Sequence, residues 1–197
     1  GEVLKVNKNV VIVLAGGSPV EMPWSDDVAA ILNSYLGGQA GAGAVADILS
    51  GAVNPSGKLP ETYPMVYSDT PAYKNFPGNP ASVEYRESVY IGYRYYEKAQ
   101  QAVRYPFGFG LSYTTFEYSD LKLDKTEMSE SDTLTVTCKI SNTGDRDGAE
   151  VIQLYVRDKA STVFRPQKEL RDFTKVFLKK GEERTVTFTL SKRAFAY

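Results

Sequence analysis

Strict alternation of apolar and polar residues in the second half of the chain is the feature that most limits its fold. One face of the segment from Thr133 to Ile140 carries Leu134, Val136, Cys138 and Ile140, and Thr or Lys fills the positions between them. Successive side chains of a strand point to opposite faces, so the pattern predicts an antiparallel strand with one buried face. Further strands are predicted at Val151–Val156, at Leu170–Leu178 and, after a turn at Lys180–Gly181, along Val186, Phe188 and Leu190. Short strands at this spacing predict an all-β sandwich.

The first half of the chain follows a different pattern. Asn9–Ala15 is a continuous, mostly β-branched run that ends at Gly16, which predicts a strand buried on both faces, as in a parallel sheet. Ala29–Leu36 is short and bounded by glycine, which favours a second buried strand over a helix. Gly41–Ser50 has apolar residues at helical spacing and a glycine stop at Gly51. These elements predict an α/β region ahead of the sandwich.

Two stretches of the first half show no regular period. Asn54–Gly57 has the composition of a turn, and Lys58–Pro60 leads out of it into an extended region. From Thr70 to Tyr113 the chain is crowded with Tyr, Pro and Gly. Disordered linkers have few aromatic residues, so this stretch is predicted to be a long ordered loop.

The composition excludes several classes of chemistry. The 197 residues include no histidine, which rules out a Ser–His–Asp triad, a Cys–His pair and a His-ligated zinc site. Cys138 is the only cysteine, so thiolate clusters and internal disulfides are also excluded, and it is predicted to be a small core residue. The net charge of −1 favours neither nucleic acid nor an acidic membrane surface as a partner. No cofactor is implied, and catalysis would have to rest on carboxylates, Lys, Tyr, Ser or Thr.

One segment imitates a dinucleotide-binding motif. Gly41–Ala46 matches G-x-G-x-x-A at the start of a predicted helix, and Glu61 follows near the position of the ribose-binding acid. That acid should end a central strand, yet Glu61 lies between Pro60 and Pro64, which argues against such a strand. The favoured interpretation is that the small residues let the helix pack closely against a sheet.

The aromatic segment Tyr85–Tyr96 has two interpretations. Its rings could stack on the apolar faces of sugars, or they could fill an interface between domains, which is the favoured alternative. Arg86 and Glu87 are predicted to form a solvated or interface ion pair, and a place with Tyr85 at the rim of a substrate site is the other possibility. A separate acidic cluster is predicted to be solvated, since its spacing is too loose for calcium: Glu127, Glu130 and Asp132.

The linear order of several segments resembles family 3 of the glycoside hydrolases, of the β-glucosidase type. The resemblance covers essentially the whole chain, and its most specific part is Pro106–Thr114, which in the family introduces a fibronectin type III-like domain. The other matching segments are Asn9–Trp24, Gly38–Gly41, Val53–Pro60, Tyr85–Tyr96, Asn142–Gly144 and Gln167–Leu170.

The resemblance implies a retaining enzyme that removes terminal β-D-glucosyl residues. Family members use an aspartate nucleophile on a separate barrel domain and a glutamate acid/base in the α/β domain, and retaining hydrolysis needs the pair about 5–5.5 Å apart. Neither position exists in this chain, so its catalytic residues are expected to be none. The expected partners are a β-glucoside or oligosaccharide, bound through the parent enzyme, and the missing barrel and α/β segments, in cis or as a second chain.

The resemblance also sets expectations for domain organisation. Residues 1–113 are expected to be the C-terminal part of the α/β sandwich domain, and residues 114–197 a fibronectin type III-like (immunoglobulin-like) β-sandwich without its last strands, which would leave an open sheet edge. The chain is then expected to be a proteolytic or cloned fragment, or else a second chain supplies the rest. Its single cysteine and lack of a visible signal segment slightly favour a cytoplasmic location. A stand-alone carbohydrate-binding or adhesion module and a nucleotide-binding domain are the alternative functions.

Overall fold

A computed structural model describes residues 1–196 and divides them into two compact units. Unit 1 comprises Gly1–Val53 and Leu59–Phe109, and unit 2 comprises Asn54–Lys58 and the chain from Gly110 onward. No helix within the described residues is long and apolar enough to cross a membrane.

Unit 1 contains a parallel pair of strands and three helices. Strand β1 (Val11–Leu14) pairs in parallel with β2 (Ala30–Asn33), and the short strands β3 (Tyr63–Pro64) and β4 (Val103–Tyr105) pair antiparallel. The helices are α1 (Glu2–Val6), α2 (Gly41–Ser50) and α3 (Tyr93–Ala99), with short 3-10 turns at Ser25–Asp27 and Tyr67–Asp69. The predicted parallel strands are therefore confirmed.

The predicted helix is confirmed as well, with the stop that the sequence indicates. Helix α2 ends where Gly51 takes the left-handed conformation, with a φ of 78°. Glycine adopts that conformation without steric cost, which makes it the usual residue at this position.

Three expectations for the first half are wrong. The two strands are not buried as expected: Val11 and Val13 of β1 are 48% and 41% exposed, and no residue of β2 is fully buried, because the sheet has only two strands within the described residues. Asn54–Gly57 forms no turn but runs as an irregular segment, since contacts with distant residues hold it. The predicted loop from Thr70 to Tyr113 contains α3 and β4.

Unit 2 is an antiparallel arrangement of two sheets. Strands β5 (Phe116–Leu123), β6 (Thr133–Asn142) and β9 (Glu183–Ser191) form one sheet in the order β5-β6-β9, and β7 (Gly148–Val156) pairs with β8 (Glu169–Leu178) in the other. A 3-10 turn, Lys192–Phe195, follows β9. Strand β5 was not predicted separately; the other four strands lie where the alternation predicts them.

The core of unit 2 is built by the alternating apolar residues. It consists of Val136, Ile140, Ile152, Leu178, Val186, Phe188 and Leu190, all buried. In the β6-β9 pair, Val136 lies opposite Phe188 and Leu134 lies opposite Leu190, so residues of equal parity meet on the same face. Cys138 lies on this face opposite Val186, half-buried and with a free thiol. The period-two pattern thus becomes one continuous apolar layer.

Candidate functional site

The predicted rim residues lie on an exposed turn of unit 1. Tyr85 is 87% exposed, Arg86 is exposed, and Glu87 is half-buried, with its carbonyl oxygen accepting a hydrogen bond from the Tyr90 amide at 2.9 Å. Ser88 takes the left-handed conformation there, with a φ of 54°. The ring of Tyr85 is therefore available to a ligand.

The expected ion pair between Arg86 and Glu87 is wrong, because Arg86 has a different partner. The Arg86 guanidinium pairs with the carboxylate of Glu84. Both members of the pair are well exposed, so it contributes little to stability.

The remaining aromatic residues of this segment divide between surface and interior. The Tyr93 ring stacks on Phe107 with centroids 4.8 Å apart, and Tyr96 is buried on α3. Desolvation by burial, with smaller effects from Tyr95 and Asp69, raises the pKa of Tyr96 to about 12. Tyr93 and Tyr96 therefore pack within unit 1, whereas Tyr85 is largely exposed.

A polar cluster that the sequence did not reveal lies after the carboxyl end of β2. Asn33, the last residue of β2, donates from Nδ2 to the Tyr63 hydroxyl at 2.7 Å, and Tyr63 itself is buried. Tyr35 takes the left-handed conformation, with a φ of 48°. Desolvation raises the pKa of Tyr35 most, and its interactions with Tyr63 and Glu61 raise it further. The term polar cluster is used below for four residues: Asn33, Tyr35, Glu61 and Tyr63.

The polar cluster occupies a suitable position for ligand binding in an α/β sheet. Open parallel sheets bind ligands outside the carboxyl ends of their strands. A phenol with a raised pKa stays protonated at neutral pH and can donate a hydrogen bond, as the Tyr35 hydroxyl would. The cluster holds a single carboxylate, Glu61, whereas retaining glycoside hydrolysis needs two. These residues can position neighbouring groups but cannot supply the complete reaction.

The two buried carboxylates of unit 2 are both neutralised by cations. Glu150 lies 3.0 Å from Lys58 Nζ, and Glu169 lies 2.7 Å from Arg171 Nη2. Arg165 also approaches Glu169, at 3.3 Å. A carboxylate whose oxygens are already bound by a Lys or Arg side chain is occupied by that contact. Both carboxylates therefore have structural roles.

The arrangement of acidic residues offers no metal site in the described part of the chain. Across residues 1–196, no group of three or more His, Cys, Asp or Glu side chains is placed to hold a metal ion. The Asp132 carboxylate of the acidic cluster accepts a hydrogen bond from the Ser129 amide at 2.9 Å, which lowers its pKa. Asp132 thus organises its own turn.

Two family models match the chain in the order of its units. Residues 1–113 match the glycosyl hydrolase family 3 C-terminal domain, and residues 150–197 match a fibronectin type III-like domain. The chain belongs to glycosyl hydrolase family 3. The resemblance drawn from the sequence motifs is confirmed, and so is the fold class, an α/β region followed by a fibronectin type III-like β-sandwich.

Family 3 relatives match along nearly the whole chain. A thermostable beta-glucosidase B from Acetivibrio thermocellus is 56% identical over 99% of the chain, and an exo-alpha-(1->6)-L-arabinopyranosidase from Bifidobacterium breve is 47% identical over all of it. The crystal structure of a family 3 beta-glucosidase from Bifidobacterium adolescentis superposes with a TM-score of 0.93 at 48% identity, covering 99% of this chain and 29% of that one. The chain spans 26% of the length of each of the two curated relatives.

Proposed function

We propose that this chain is the part of a retaining β-glucosidase that supports the active site and walls its aglycone side, without carrying either catalytic carboxylate. The observation that carries the proposal is the match of nearly the whole chain to about a quarter of proteins named β-glucosidases. The ion pairs of Glu150 with Lys58 and of Glu169 with Arg171 support the second part, because these contacts occupy the two buried carboxylates of unit 2.

In this proposal the chemistry comes from residues outside the chain. An aspartate nucleophile on a barrel domain and a glutamate acid/base in the rest of the α/β domain act in two displacement steps, with a covalent glycosyl-enzyme intermediate. They belong to the same polypeptide or to a second chain. Residues 1–113 complete the α/β domain, and residues 114–197 form the fibronectin type III-like domain of the same enzyme.

Within the active site, Tyr85, Arg86 and Glu87 are proposed to line the rim. The exposed Tyr85 ring supplies an apolar face for a sugar in the aglycone position, and the two charged side chains supply hydrogen bonds to its hydroxyls. The sugar cleaved at the non-reducing end is proposed to be β-D-glucose. A rim that binds the leaving part of the substrate is compatible with relatives that differ in the sugar they release.

Steady-state kinetics of the longer enzyme that contains this chain test the rim assignment. Tyr85→Ala should raise KM for a gluco-oligosaccharide about fivefold, since stacking on an aromatic ring contributes on the order of 1 kcal/mol, and should leave KM for a small aryl β-glucoside nearly unchanged. Tyr73→Ala, at another exposed tyrosine of unit 1, is the matched control. Equal effects of the two variants on the oligosaccharide would reject the rim role.

The exposure of Tyr85 also favours a second candidate, a carbohydrate-binding or adhesion module that acts by itself. This function predicts calorimetric binding of gluco-oligosaccharides to the 197-residue chain and loss of that binding in Tyr85→Ala. A nucleotide-binding function would instead predict that NAD or ATP raises the melting temperature, and no such shift is expected.

A further inference from the structure

A short segment from the first half of the sequence belongs structurally to the β-sandwich. Asn54–Lys58, called the strap below, is part of unit 2, although the residues before and after it belong to unit 1. It contains the Asn-Pro-Ser-Gly composition from which a turn was predicted. Its contacts with unit 2 explain why it has no turn.

The first residue of the strap is held by its side-chain amide. Asn54 Nδ2 donates to the carbonyl oxygen of Asp147 at 3.0 Å. Asn54 Oδ1 accepts from the Ser112 hydroxyl at 2.9 Å and from the Tyr113 amide at 2.8 Å. Both ends of the carboxamide are therefore recognised, which an aliphatic or charged side chain could not reproduce.

The last residue of the strap is held by its charge. The Lys58 ammonium lies 3.0 Å from Glu150 Oε2 and donates to the Gly110 carbonyl oxygen at 2.8 Å. The Lys58 and Glu150 side chains are only 15% and 12% exposed. The Tyr118 hydroxyl donates to Glu150 Oε1 at 3.1 Å and so fixes the other oxygen of the carboxylate. A shielded, hydrogen-bonded pair of this kind requires a cationic side chain at this position.

Two glycines of unit 2 make room for the strap. A Cβ atom at Gly110 would lie 2.2 Å from the Gly57 carbonyl oxygen, and one at Gly148 would lie 2.6 Å from Asn54 Nδ2. Neither glycine has a positive φ, so space rather than backbone conformation requires the missing side chain. The surface is shaped to the strap at both of its ends.

The sandwich core is independent of the strap. The buried core cluster is drawn from β6, β7, β8 and β9, and it includes no residue of Asn54–Lys58. We propose that unit 2 carries a docking surface for an extended peptide with an asparagine and, four positions later, a lysine. The chain's own strap is its occupant, and it can leave while the sandwich stays folded. The surface consists of Gly110, Ser112, Tyr113, Asp147, Gly148 and Glu150.

Limited trypsin digestion of the full 197-residue chain tests this proposal. Cleavage after Lys58 requires release of the strap and opening of the backbone hydrogen bonds that Leu59 makes with Phe109 and Gly108. Cleavage after Lys139, in the central strand β6, reports unfolding of the sandwich. Asn54→Ala removes three hydrogen bonds and should speed cleavage after Lys58 about tenfold or more, with no change after Lys139. Asn7→Ala is the matched control, because Asn7 is exposed and its side chain accepts only a local bond from the Asn9 amide.

A second variant should release the strap by a steric clash. Gly110→Ala should drive the strap away from its surface and speed cleavage after Lys58 to a similar degree, while Gly16→Ala, where a Cβ meets nothing within 4 Å, should not. Unchanged cleavage after Lys58 in both Asn54→Ala and Gly110→Ala would overturn the proposal. Equal acceleration after Lys58 and Lys139 would also overturn it, because the strap would then be an integral part of the sandwich fold.

Discussion

Replacing Leu178 with alanine should destabilise the β-sandwich far more than the same change on its surface. Leu178 is fully buried, at 0% exposure, whereas Leu121 on β5 is 69% exposed. The substitution removes about three carbon groups, worth on the order of 2.4 kcal/mol of transfer free energy at about 0.8 kcal/mol each. The cavity left behind adds to this, so the expected loss of unfolding free energy is about 3–4 kcal/mol, against less than about 0.5 kcal/mol for Leu121→Ala.

Urea unfolding followed by two signals measures this difference. Trp24 is the only tryptophan and lies in unit 1, so its fluorescence reports that unit. Far-UV circular dichroism combines the strands of unit 2 with the helices and strands of unit 1, so a transition in dichroism without one in fluorescence reports unit 2. With a slope of about 1.5 kcal/mol per M, Leu178→Ala should lower the dichroism midpoint by about 2 M. The fluorescence midpoint should change little, because the substituted side chain lies in the core of unit 2. Similar midpoints for Leu178→Ala and Leu121→Ala would refute the assigned core.

Three further predictions concern the loss of folding stability at high pH, a buried ion pair and the rim residues. The pKa of Tyr96 is raised to about 12, so the unfolded chain loses the phenol proton at a lower pH than the folded chain does. The free energy of unfolding that Tyr96 contributes is therefore fully present below about pH 10 and is lost between about pH 10 and 12. Tyr96→Phe should reduce this loss, as urea unfolding midpoints measured across that pH range would show. Arg171→Leu should lower the free energy of unfolding by about 2–3 kcal/mol, because it removes one of the cations that neutralise buried Glu169. Arg184→Leu, at an exposed ion pair, should lower it by only about 0–0.5 kcal/mol, and urea unfolding measures both values. Tyr85→Ala should weaken oligosaccharide binding by the longer enzyme selectively, as its KM would show.

Regular elements could be predicted from the sequence where a single period dominates. The alternation around Val136 and Ile140 identifies β6 and its buried face, because side-chain direction in a strand depends only on parity. Gly51 marks the end of α2 for a similarly local reason, its left-handed backbone. The family motifs allowed the order of the two domain types to be predicted as well.

Features decided by long-range contacts could not be predicted. Asn33 and Tyr63 are thirty positions apart, and only the folded chain brings their side chains together. Local composition favours a turn at Asn54–Gly57, but tertiary contacts with Ser112 and Asp147 hold the segment instead. Exposure of β1 depends on what covers the sheet, which a run of β-branched residues does not encode.

The catalytic carboxylates are proposed to lie outside this chain, and the alternative is that residues of this chain act as catalysts. Glu61 in the polar cluster is the best-placed carboxylate for that alternative. If the catalytic carboxylates lie outside this chain, Glu61→Gln in the longer enzyme should change activity only indirectly, by shifting the positions of Tyr35 and Tyr63. It should therefore lower kcat far less than removal of either of the two carboxylates that retaining hydrolysis requires.

The most direct measurement of the central claim is the turnover of an aryl β-glucoside by the purified 197-residue chain, side by side with the longer gene product that contains it. The account predicts turnover by the longer protein and none above the uncatalysed rate by the chain alone. Robust turnover by the chain alone, abolished by Glu61→Gln, would contradict the claim that its carboxylates are not the catalytic pair.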